Sequence, residues 1–265
     1  MKVVLFCGGL GLRLREYSET VPKPMVPIGY RPVLWHLMKY YAHYGHKDFI
    51  LCLGHRADAI KEYFLNYQET LSNDFVLTGH GKHVELLKSD IDDWRITFVD
   101  TGLHSNLGER LTMVREHLAG EETFLANYSD GLSDLHLPDM LAHYEASNSV
   151  GSFLCAQPSL SFHFVSLAPD GHVKAITDIH GSGLLVNAGY FIFNKAIFDY
   201  IKPGEELVLE PFERLIQAGK LAAYKYDGFW RGMDTFKDKQ GLDDLFARGK
   251  APWEVWKRPD HAWGK

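Results

Sequence analysis

The sequence opens with MKVVLFCGGLGLRLREYSETVPKPM (residues 1–25), in which an apolar run leads into a glycine-rich turn and a set of spaced cations. Lys2–Cys7 is a short apolar run that ends in glycines, which is typical of a buried strand. In open α/β sheets, ligands bind at the carboxyl ends of the strands, and Gly8, Gly9 and Gly11 lie at such an end. Glycines at this point allow backbone N–H groups to come close to a phosphate or a base.

Two familiar phosphate-binding loops are excluded by their spacing. The P-loop requires a lysine at a fixed distance after its glycines, and no lysine stands there. The dinucleotide fingerprint requires a third glycine where this chain has Leu14. What remains is a glycine turn followed by cations, notably Arg13 and Lys23. Pro22 and Pro24 restrict the backbone on both sides of Lys23, which suits a cation that must point at one place.

Strands alternate with helices over residues 1–150, which predicts βαβ units and a mostly parallel sheet. Helical spacing predicts helices over Pro32–Tyr44 and Ala57–Tyr67, and residues 70–94 break the pattern with an inserted hairpin or flap. The other predicted strands are Phe49–Leu53, Arg95–Val99, Glu122–Ala126, Gly151–Ala156, Phe164–Leu167, Val173–Thr177, Tyr190–Phe193 and Ala222–Tyr226. The other predicted helices are Ala196–Ile201, Phe212–Ala218 and one that ends near Arg248.

The composition narrows the class of protein and of partner. With 265 residues, 46% of them hydrophobic, the chain can bury a large core. Its net charge of −6 argues against nucleic acid as a partner, so a bound anion must be held by a local group of cations. Three cysteines in apolar runs indicate a reducing compartment. With neither a signal peptide nor a membrane-spanning run in view, we expect a cytoplasmic protein without a membrane partner.

The ordered motifs resemble those of the sugar-1-phosphate nucleotidyltransferases, and within them most closely the glucose-1-phosphate cytidylyltransferases. The stretches that carry the resemblance are GGLGLR (8–13), VPKPM (21–25), VDTG (99–102), GERL (108–111), YSDG (128–131), NAG (187–189), GFW (228–230), MDT (233–235) and APW (251–253). The resemblance implies an α/β, Rossmann-like nucleotidyltransferase fold, with a mixed, mostly parallel central sheet flanked by helices. It also implies one domain over residues 1–265. Residues 1–150 would bind the nucleotide, residues 151–240 the acceptor, and residues 241–265 would form a C-terminal helix and a Trp-rich tail.

The resemblance further implies the chemistry and the site. A phosphate oxygen of the acceptor attacks the α-phosphorus of CTP and pyrophosphate leaves, so catalysis rests on positioning and charge neutralisation by cations, including Mg²⁺. By position, Asp130 and Asp234 match the metal pair, Arg13 and Lys23 are the catalytic cations, and Asn187 and Gly189 contact the acceptor. The implied nucleotide-binding residues are Gly8, Gly9, Gly11, Arg13, Lys23, Thr101, Arg110 and Asp130. A homo-oligomer and a role in surface polysaccharide precursors are implied as well.

Two departures from the family pattern leave alternatives open. Leu12 stands where the family usually has a threonine. More important, Ala175–Gly183 contains no lysine, although the family has a lysine in this stretch that holds the acceptor phosphate. Two other residues nearby do not replace it. Lys174 is out of register, and His180 is only partly charged at neutral pH. The chain could therefore use another nucleoside triphosphate, another sugar phosphate or a non-sugar phosphate. A silent regulatory subunit is the second alternative, and retention of Asp130 and Asp234 argues against it.

Several other polar residues receive a purely structural interpretation. His80, His83 and three aspartates at positions 90, 92 and 93 are interpreted as solvated charges of the flap, not as a metal site. Cys7 has no neighbouring base in the sequence and is interpreted as a buried thiol. Side chains expected on helix surfaces are Arg31, His36, Lys39 and His46. The tail Lys250–Lys257 is expected to pack against this chain or a neighbouring subunit.

Overall fold

A computed structural model describes residues 1–9, 21–158, 163–178 and 183–258. The strands in these ranges are β1 (Val3–Phe6), β2 (Pro27–Ile28), β3 (Arg31–Pro32), β4 (Asp48–Leu53), β5 (Phe75–Thr78), β6 (His83–Leu86), β7 (Arg95–Asp100), β8 (Thr123–Asn127), β9 (Gly131–Ser133), β10 (Gly151–Ala156), β11 (His163–Leu167), β12 (Val173–Asp178), β13 (Val186–Asn194), β14 (Leu221–Tyr226) and β15 (Trp230–Gly232). The helices are α1 (Val33–His43), α2 (Ala57–Leu65), α3 (Leu107–Met113), α4 (Leu137–Ser147), α5 (Glu210–Gln217) and α6 (Phe236–Ala247).

Within the described ranges, the main sheet has seven strands in the order β14-β10-β13-β8-β1-β4-β7. The strands β8, β1, β4 and β7 run parallel to one another, and β10 runs parallel to β14. Only β13 is antiparallel to both of its neighbours, β8 and β10. The sheet is therefore mixed and mostly parallel, as the sequence predicts. Strand β1, whose carboxyl end leads into the glycine turn, lies inside the sheet between β8 and β4.

Helices cover both faces of the sheet, which explains why the central strands are apolar on both sides. In β1, Val3 and Leu5 face a core formed with α1, α2 and α4, while Val4 and Phe6 face a second core formed with α3 and α5. These side chains are almost wholly buried. Burying one such side chain contributes about 1.5–3 kcal/mol, so the strand that carries the glycine turn is held firmly from both faces.

The predicted helix α1 is confirmed, and two helices are found that the sequence analysis did not predict. Helix α3 begins with a capping box in which Asn106 and Glu109 satisfy each other's backbone N–H groups. Helix α4 begins at Leu137 and has a proline in its first turn. Both helices are short or only weakly amphipathic, so the hydrophobic period alone gave little signal. The predicted helix at Ala196–Ile201 is a 3₁₀ turn, Lys195–Asp199.

The expected helix-surface position is wrong for Arg31, which is 2% exposed. Its guanidinium donates hydrogen bonds to Ser72 Oγ, Tyr63 Oη and the Gln68 carbonyl oxygen. It also lies over the Tyr67 ring at 4.2 Å. A buried guanidinium is tolerated because its donors are paired.

The expected surface position of His36 is also wrong, because the C-terminal tail covers this side chain. His36 Nε2 donates to the Ile28 carbonyl oxygen at 2.9 Å, and Trp253 Nε1 donates to His36 Nδ1 at 3.3 Å. Trp253 is fully buried, and Trp256 stacks on the same imidazole. The Trp-rich tail thus packs against α1 of its own chain. Burial lowers the pKa of His36 to about 4, so the ring is neutral at physiological pH.

The expectation that Asp90 is a solvated charge of the flap is also wrong, because its carboxylate is buried. Lys39 Nζ donates to it at 2.8 Å, and Ser72 and Asn73 donate at 2.5 and 2.9 Å. Lys39 is itself only partly exposed and, like Arg31, turns towards this network and not into solvent. Asp92, by contrast, is exposed as expected. The residues after α2 are thus tied to α1 by paired charges.

The segment 70–94 contains an antiparallel hairpin of β5 and β6, and β11 pairs with β12 in a second hairpin. Every residue of these four strands is exposed. Both hairpins project from the body of the protein and contribute little to either core.

Candidate active site

The two predicted metal-binding aspartates are brought together by a short antiparallel ladder. Strand β9 follows Asp130 directly, β15 lies just before Asp234, and Gly131 pairs with Gly232. In addition, the backbone N–H of Met233 donates to the Asp130 carbonyl oxygen at 2.8 Å. Two carboxylates that are far apart in the chain therefore meet at the edge of the sheet, beyond the carboxyl end of β8.

Lys23 lies between these carboxylates. Its Nζ is 2.5 Å from Asp130 Oδ2 and 2.8 Å from Asp234 Oδ1, and its side chain is 14% exposed. Burial alone would lower the pKa of Lys23, but the charge of Asp130 and the hydrogen bonds to both carboxylates outweigh it and raise that pKa. Lys23 therefore stays charged throughout the physiological range. The predicted catalytic lysine and the two predicted metal ligands are thus in direct contact.

The backbone that carries Lys23 is stiff, as the flanking prolines predict. Lys23–Met25 forms a single 3₁₀ turn after Pro22, which has extended backbone angles. The N–H of Met25 donates to the Pro22 carbonyl oxygen, and that of Val26 to the Lys23 carbonyl oxygen. Pro24 and Met25 are buried. The backbone position of Lys23 is thus fixed, and the ammonium group can move only through the four-carbon stem of the side chain.

Arg110 joins the ends of three strands beside the glycine turn. Its guanidinium donates to the carbonyl oxygen of Gly8 after β1, to that of Leu53 in β4, and to Thr101 Oγ1 after β7. The side chain of Arg110 is nearly buried, and Thr101 is fully buried. A Cβ atom on Gly8 would lie 2.0 Å from Arg110 Nη1, so any side chain at this position would displace the guanidinium from these contacts.

Arg110 and Thr101 therefore shape the cleft through contacts inside the protein. The Thr101 hydroxyl donates to the Leu53 carbonyl oxygen at 2.7 Å while it accepts from Arg110. Burial lowers the pKa of Arg110, yet a guanidinium remains charged in proteins. The hydrogen bonds of Arg110 end on carbonyl and hydroxyl oxygens, so its positive charge adds to the field of the cleft.

Asn187 and Gly189, the predicted acceptor-binding pair, hold Tyr128 next to Asp130. Asn187 Nδ2 donates to Tyr128 Oη at 3.2 Å, and the Tyr128 N–H donates to the Gly189 carbonyl oxygen. Gly189 has φ +78°, and a Cβ atom there would lie 2.5 Å from the Tyr128 ring. Both residues lie at the start of β13, not in a turn before it. They are thus adjacent to the aspartate pair, on the side away from β1.

A cleft of about 490 Å³ opens over these strand ends. Its lining includes Gly8, Gly9, Arg110, Tyr128, Asp130 and Glu206. Glu206 is a cleft residue that the sequence analysis missed: one carboxylate oxygen accepts from the Leu107 N–H, and the other is buried without a partner among the described residues. Glu206 is a single glutamate before a helix and belongs to no motif, so the sequence alone does not indicate that it lines the cleft. Gly11 and Arg13 lie outside the described residues.

The donor set of the aspartate pair fits magnesium. Mg²⁺ prefers one or two carboxylates and fills its other positions with phosphate oxygens and water, and here one oxygen from each carboxylate faces a common point. Larger groups are not seen: within the described ranges, no three His, Cys, Asp or Glu side chains cluster to hold a metal. Cys7 lies close by, but burial raises the pKa of its thiol to about 12, which makes it a poor nucleophile.

Comparison with known proteins agrees with this geometry. The family model described as nucleotidyl transferase matches residues 2–238. The chain therefore belongs to the nucleotidyl transferase family and is a nucleotidyltransferase. None of the helices in the described part of the chain has the length and apolar character that crossing a bilayer requires.

The relatives narrow the family further. A glucose-1-phosphate cytidylyltransferase from Salmonella typhimurium is 38% identical over 258 residues, which cover 97% of this chain and 100% of the relative. A probable glucose-1-phosphate cytidylyltransferase from Bacillus subtilis is 34% identical over the same shares. The predicted resemblance to this group is therefore confirmed.

Solved structures support the fold alone. A UDP-glucose pyrophosphorylase complexed with UDP-glucose aligns with TM-score 0.67 at 15% identity, covering 94% of this chain and 98% of that one. A putative glucose-1-phosphate thymidylyltransferase from Bacillus anthracis aligns with TM-score 0.67 at 14% identity, covering 100% and 98%. The predicted nucleotidyltransferase fold is confirmed.

Proposed function

We propose that this chain transfers the cytidylyl group of CTP to a sugar 1-phosphate, with glucose 1-phosphate as the first candidate, in a reaction that depends on Mg²⁺. An oxygen of the acceptor phosphate forms a bond to the α-phosphorus, the bond between the α-phosphorus and the bridging oxygen breaks, and pyrophosphate leaves. The observation that carries the proposal is the meeting of Lys23 with Asp234 and with Asp130, a residue that lines the cleft. The cytidylyltransferase relatives support the choice of CTP and glucose 1-phosphate.

The residues divide the work of holding a polyanion. Asp130 and Asp234 would hold the Mg²⁺ ion, which supplies charge neutralisation at the phosphates. Lys23 would place its ammonium group on the phosphates at the reacting centre, and Arg13 would hold the leaving pyrophosphate. Gly8 and Gly9, at the end of β1, would offer backbone N–H groups to the nucleotide, and by the resemblance Gly11 would do the same. The reaction then needs no covalent nucleophile, in keeping with phosphoryl transfer by positioning and electrostatics.

The acceptor side of the site supports a second candidate, in which the acceptor is a phosphate compound other than glucose 1-phosphate. The stretch Ala175–Gly183 has no lysine, and Lys174 lies on an exposed strand, β12. A positive charge for the acceptor phosphate must then come from elsewhere. Residues 179–182, including His180, lie outside the described ranges. Asn187 and Gly189 are the acceptor contacts that we propose, because they adjoin Tyr128 and Asp130.

The setting of the reaction is part of the proposal. We infer a cytoplasmic enzyme of nucleotide-sugar synthesis for surface polysaccharides, and the three thiols without a disulfide support a reducing compartment. We also infer a homo-oligomer. The exposed apolar side chains of the β5–β6 hairpin, such as Phe75, Leu77 and Val84, support it, because exposed apolar patches mark interaction sites.

A pyrophosphate-release assay tests the proposal. CTP, UTP, dTTP, GTP and ATP are crossed with glucose, mannose, galactose and heptose 1-phosphates and with non-sugar phosphates, each with Mg²⁺. We expect release with CTP and glucose 1-phosphate, and a loss of roughly 10²-fold in Asp130→Asn and Asp234→Asn. Asp227→Asn is the matched control, because this aspartate is exposed and pairs only weakly with a surface lysine.

The outcomes separate the alternatives. Release with CTP and only another acceptor would replace glucose 1-phosphate and keep the nucleotide half. Release with another triphosphate would replace CTP. If no pair released pyrophosphate while CTP still bound in calorimetry, the result would favour the regulatory subunit. Full activity in both aspartate variants would remove the metal assignment.

A further inference from the structure

The ammonium group of Lys23 occupies the point at which the two aspartate carboxylates converge. One oxygen of each carboxylate lies within hydrogen-bond distance of Nζ, at 2.5 and 2.8 Å. A Mg²⁺ ion held by the same two oxygens would lie about 2.0–2.1 Å from each. Lys23 and a metal ion bound by both carboxylates therefore require nearly the same place, and electrostatics forbids both at once because two cations so close repel strongly.

The geometry around Lys23 allows a simple exchange. Its backbone is fixed by the turn Lys23–Met25 and by buried neighbours, whereas its side chain has several rotatable bonds. The ammonium group can leave the carboxylates without any movement of the main chain. It will leave only for another anion, because a mostly buried ammonium group without a partner is costly. A triphosphate in the adjoining cleft supplies that anion.

We propose that Lys23 competes with the divalent cation for Asp130 and Asp234, so that the metal enters together with the nucleoside triphosphate and not before it. This inference rests on the proposed function. Before substrate binds, Lys23 pairs with both carboxylates and reduces the repulsion between them. When the metal–triphosphate complex binds, the metal takes over the carboxylates, and the Lys23 ammonium group moves to a phosphate oxygen.

Binding of Mn²⁺ without nucleotide is the direct test, measured by electron paramagnetic resonance of the free ion and by calorimetry. We compare the wild type with Lys23→Met, which keeps the apolar stem and removes the charge. Lys195→Met is the matched control, because this lysine forms an exposed ion pair with Glu122. We expect Lys23→Met to bind Mn²⁺ about 10-fold more tightly than the wild type, which corresponds to loss of one charged hydrogen-bond partner, and Lys195→Met to be unchanged.

Adding CTP without acceptor should remove this advantage. In its presence the wild type should bind Mn²⁺ at least as tightly as Lys23→Met, because Lys23 then contacts phosphate. Thermal unfolding gives a second reading: Mn²⁺ should raise the unfolding temperature of Lys23→Met more than that of the wild type. If Lys23→Met does not fold, Lys23→Gln serves for both measurements, with the same expectations.

The possible failures are distinguishable. Equal Mn²⁺ affinity of the wild type and the Lys23 variants would overturn the competition. If the Mn²⁺ affinity is nevertheless lower in Asp130→Asn and Asp234→Asn, these aspartates remain the metal ligands of the proposed function, and only the competition is wrong. If Mn²⁺ binding responds to none of these variants, the metal assignment itself is wrong and the competition falls with it.

Discussion

Replacing Arg110 by methionine should destabilise the protein and disturb nucleotide binding indirectly. The change keeps a side chain of similar length but removes the donors that join Gly8, Leu53 and Thr101. Each hydrogen bond from a charged group contributes about 1.5–3 kcal/mol. The three together are partly offset, because the buried guanidinium no longer has to be desolvated. We therefore expect the free energy of unfolding to fall by about 3 kcal/mol.

Thermal unfolding followed by circular dichroism measures this effect. For a chain of this size, a loss of about 3 kcal/mol lowers the unfolding temperature by roughly 6–12 °C. Arg115→Met is the control, because this exposed arginine only covers the Phe198 ring and should contribute less than about 1 kcal/mol. In steady-state kinetics, KM for CTP should rise in Arg110→Met because the glycine turn loses its support.

One result would contradict a structural role for Arg110. If Arg110→Met unfolded within about 1 °C of the wild type and yet lost nucleotide affinity, the contacts to the three strand ends would not be structural. Arg110 would then act directly on the nucleotide.

Three further predictions concern buried groups. Burial lowers the pKa of His36 from 6.5 to about 4, so the stability contributed by the neutral, buried ring is complete above pH 6.5 and is lost as the pH falls towards 4. The free energy of unfolding, measured in urea titrations, should fall in this window by about 3 kcal/mol, and much less in His36→Gln. Gly189→Ala should cost about 2 kcal/mol in urea unfolding, because its Cβ atom would meet Tyr128, whereas Gly120→Ala, also at positive φ but in open space, should cost less. Asp90→Asn should cost about 2–3 kcal/mol in the same assay at neutral pH, since its buried carboxylate accepts several hydrogen bonds; an unchanged midpoint would mean that water replaces them.

The central sheet could be predicted because its signals are local. Continuous apolar runs such as Lys2–Cys7 and Phe49–Leu53 match buried strands closely, and the glycines after β1 mark the ligand-binding end. The directed position of Lys23 also followed from its two neighbouring prolines. The direct partners of Lys23 did not, because they meet through β9 and β15. These strands have three residues each, too few for a hydrophobic period to register.

The wrong surface positions have a common physical cause. Arg31 and Asp90 are of residue types that are mostly exposed, and His36 is of a type with intermediate burial. Nothing next to them in the chain indicates that they are buried. Their partners come from distant segments, among them Ser72 and Trp253. The hydrogen-bond partners of Arg110 are harder still to predict, because they are mainly backbone carbonyl oxygens, which every residue carries. A pattern of residue types cannot show such a partner.

Arg110 and Lys23 meet the same electrostatic demand in different ways. The chain as a whole has a net charge of −6, so a triphosphate is attracted only where cations are held locally. Arg110 is held by neutral oxygens, and its charge is therefore available to the cleft at all times. Lys23 is held by two carboxylates, and its charge becomes available only when a divalent cation replaces it there. A site built in this way attracts the nucleotide before the metal is in place, yet exposes the Lys23 ammonium group only when metal and phosphates arrive together.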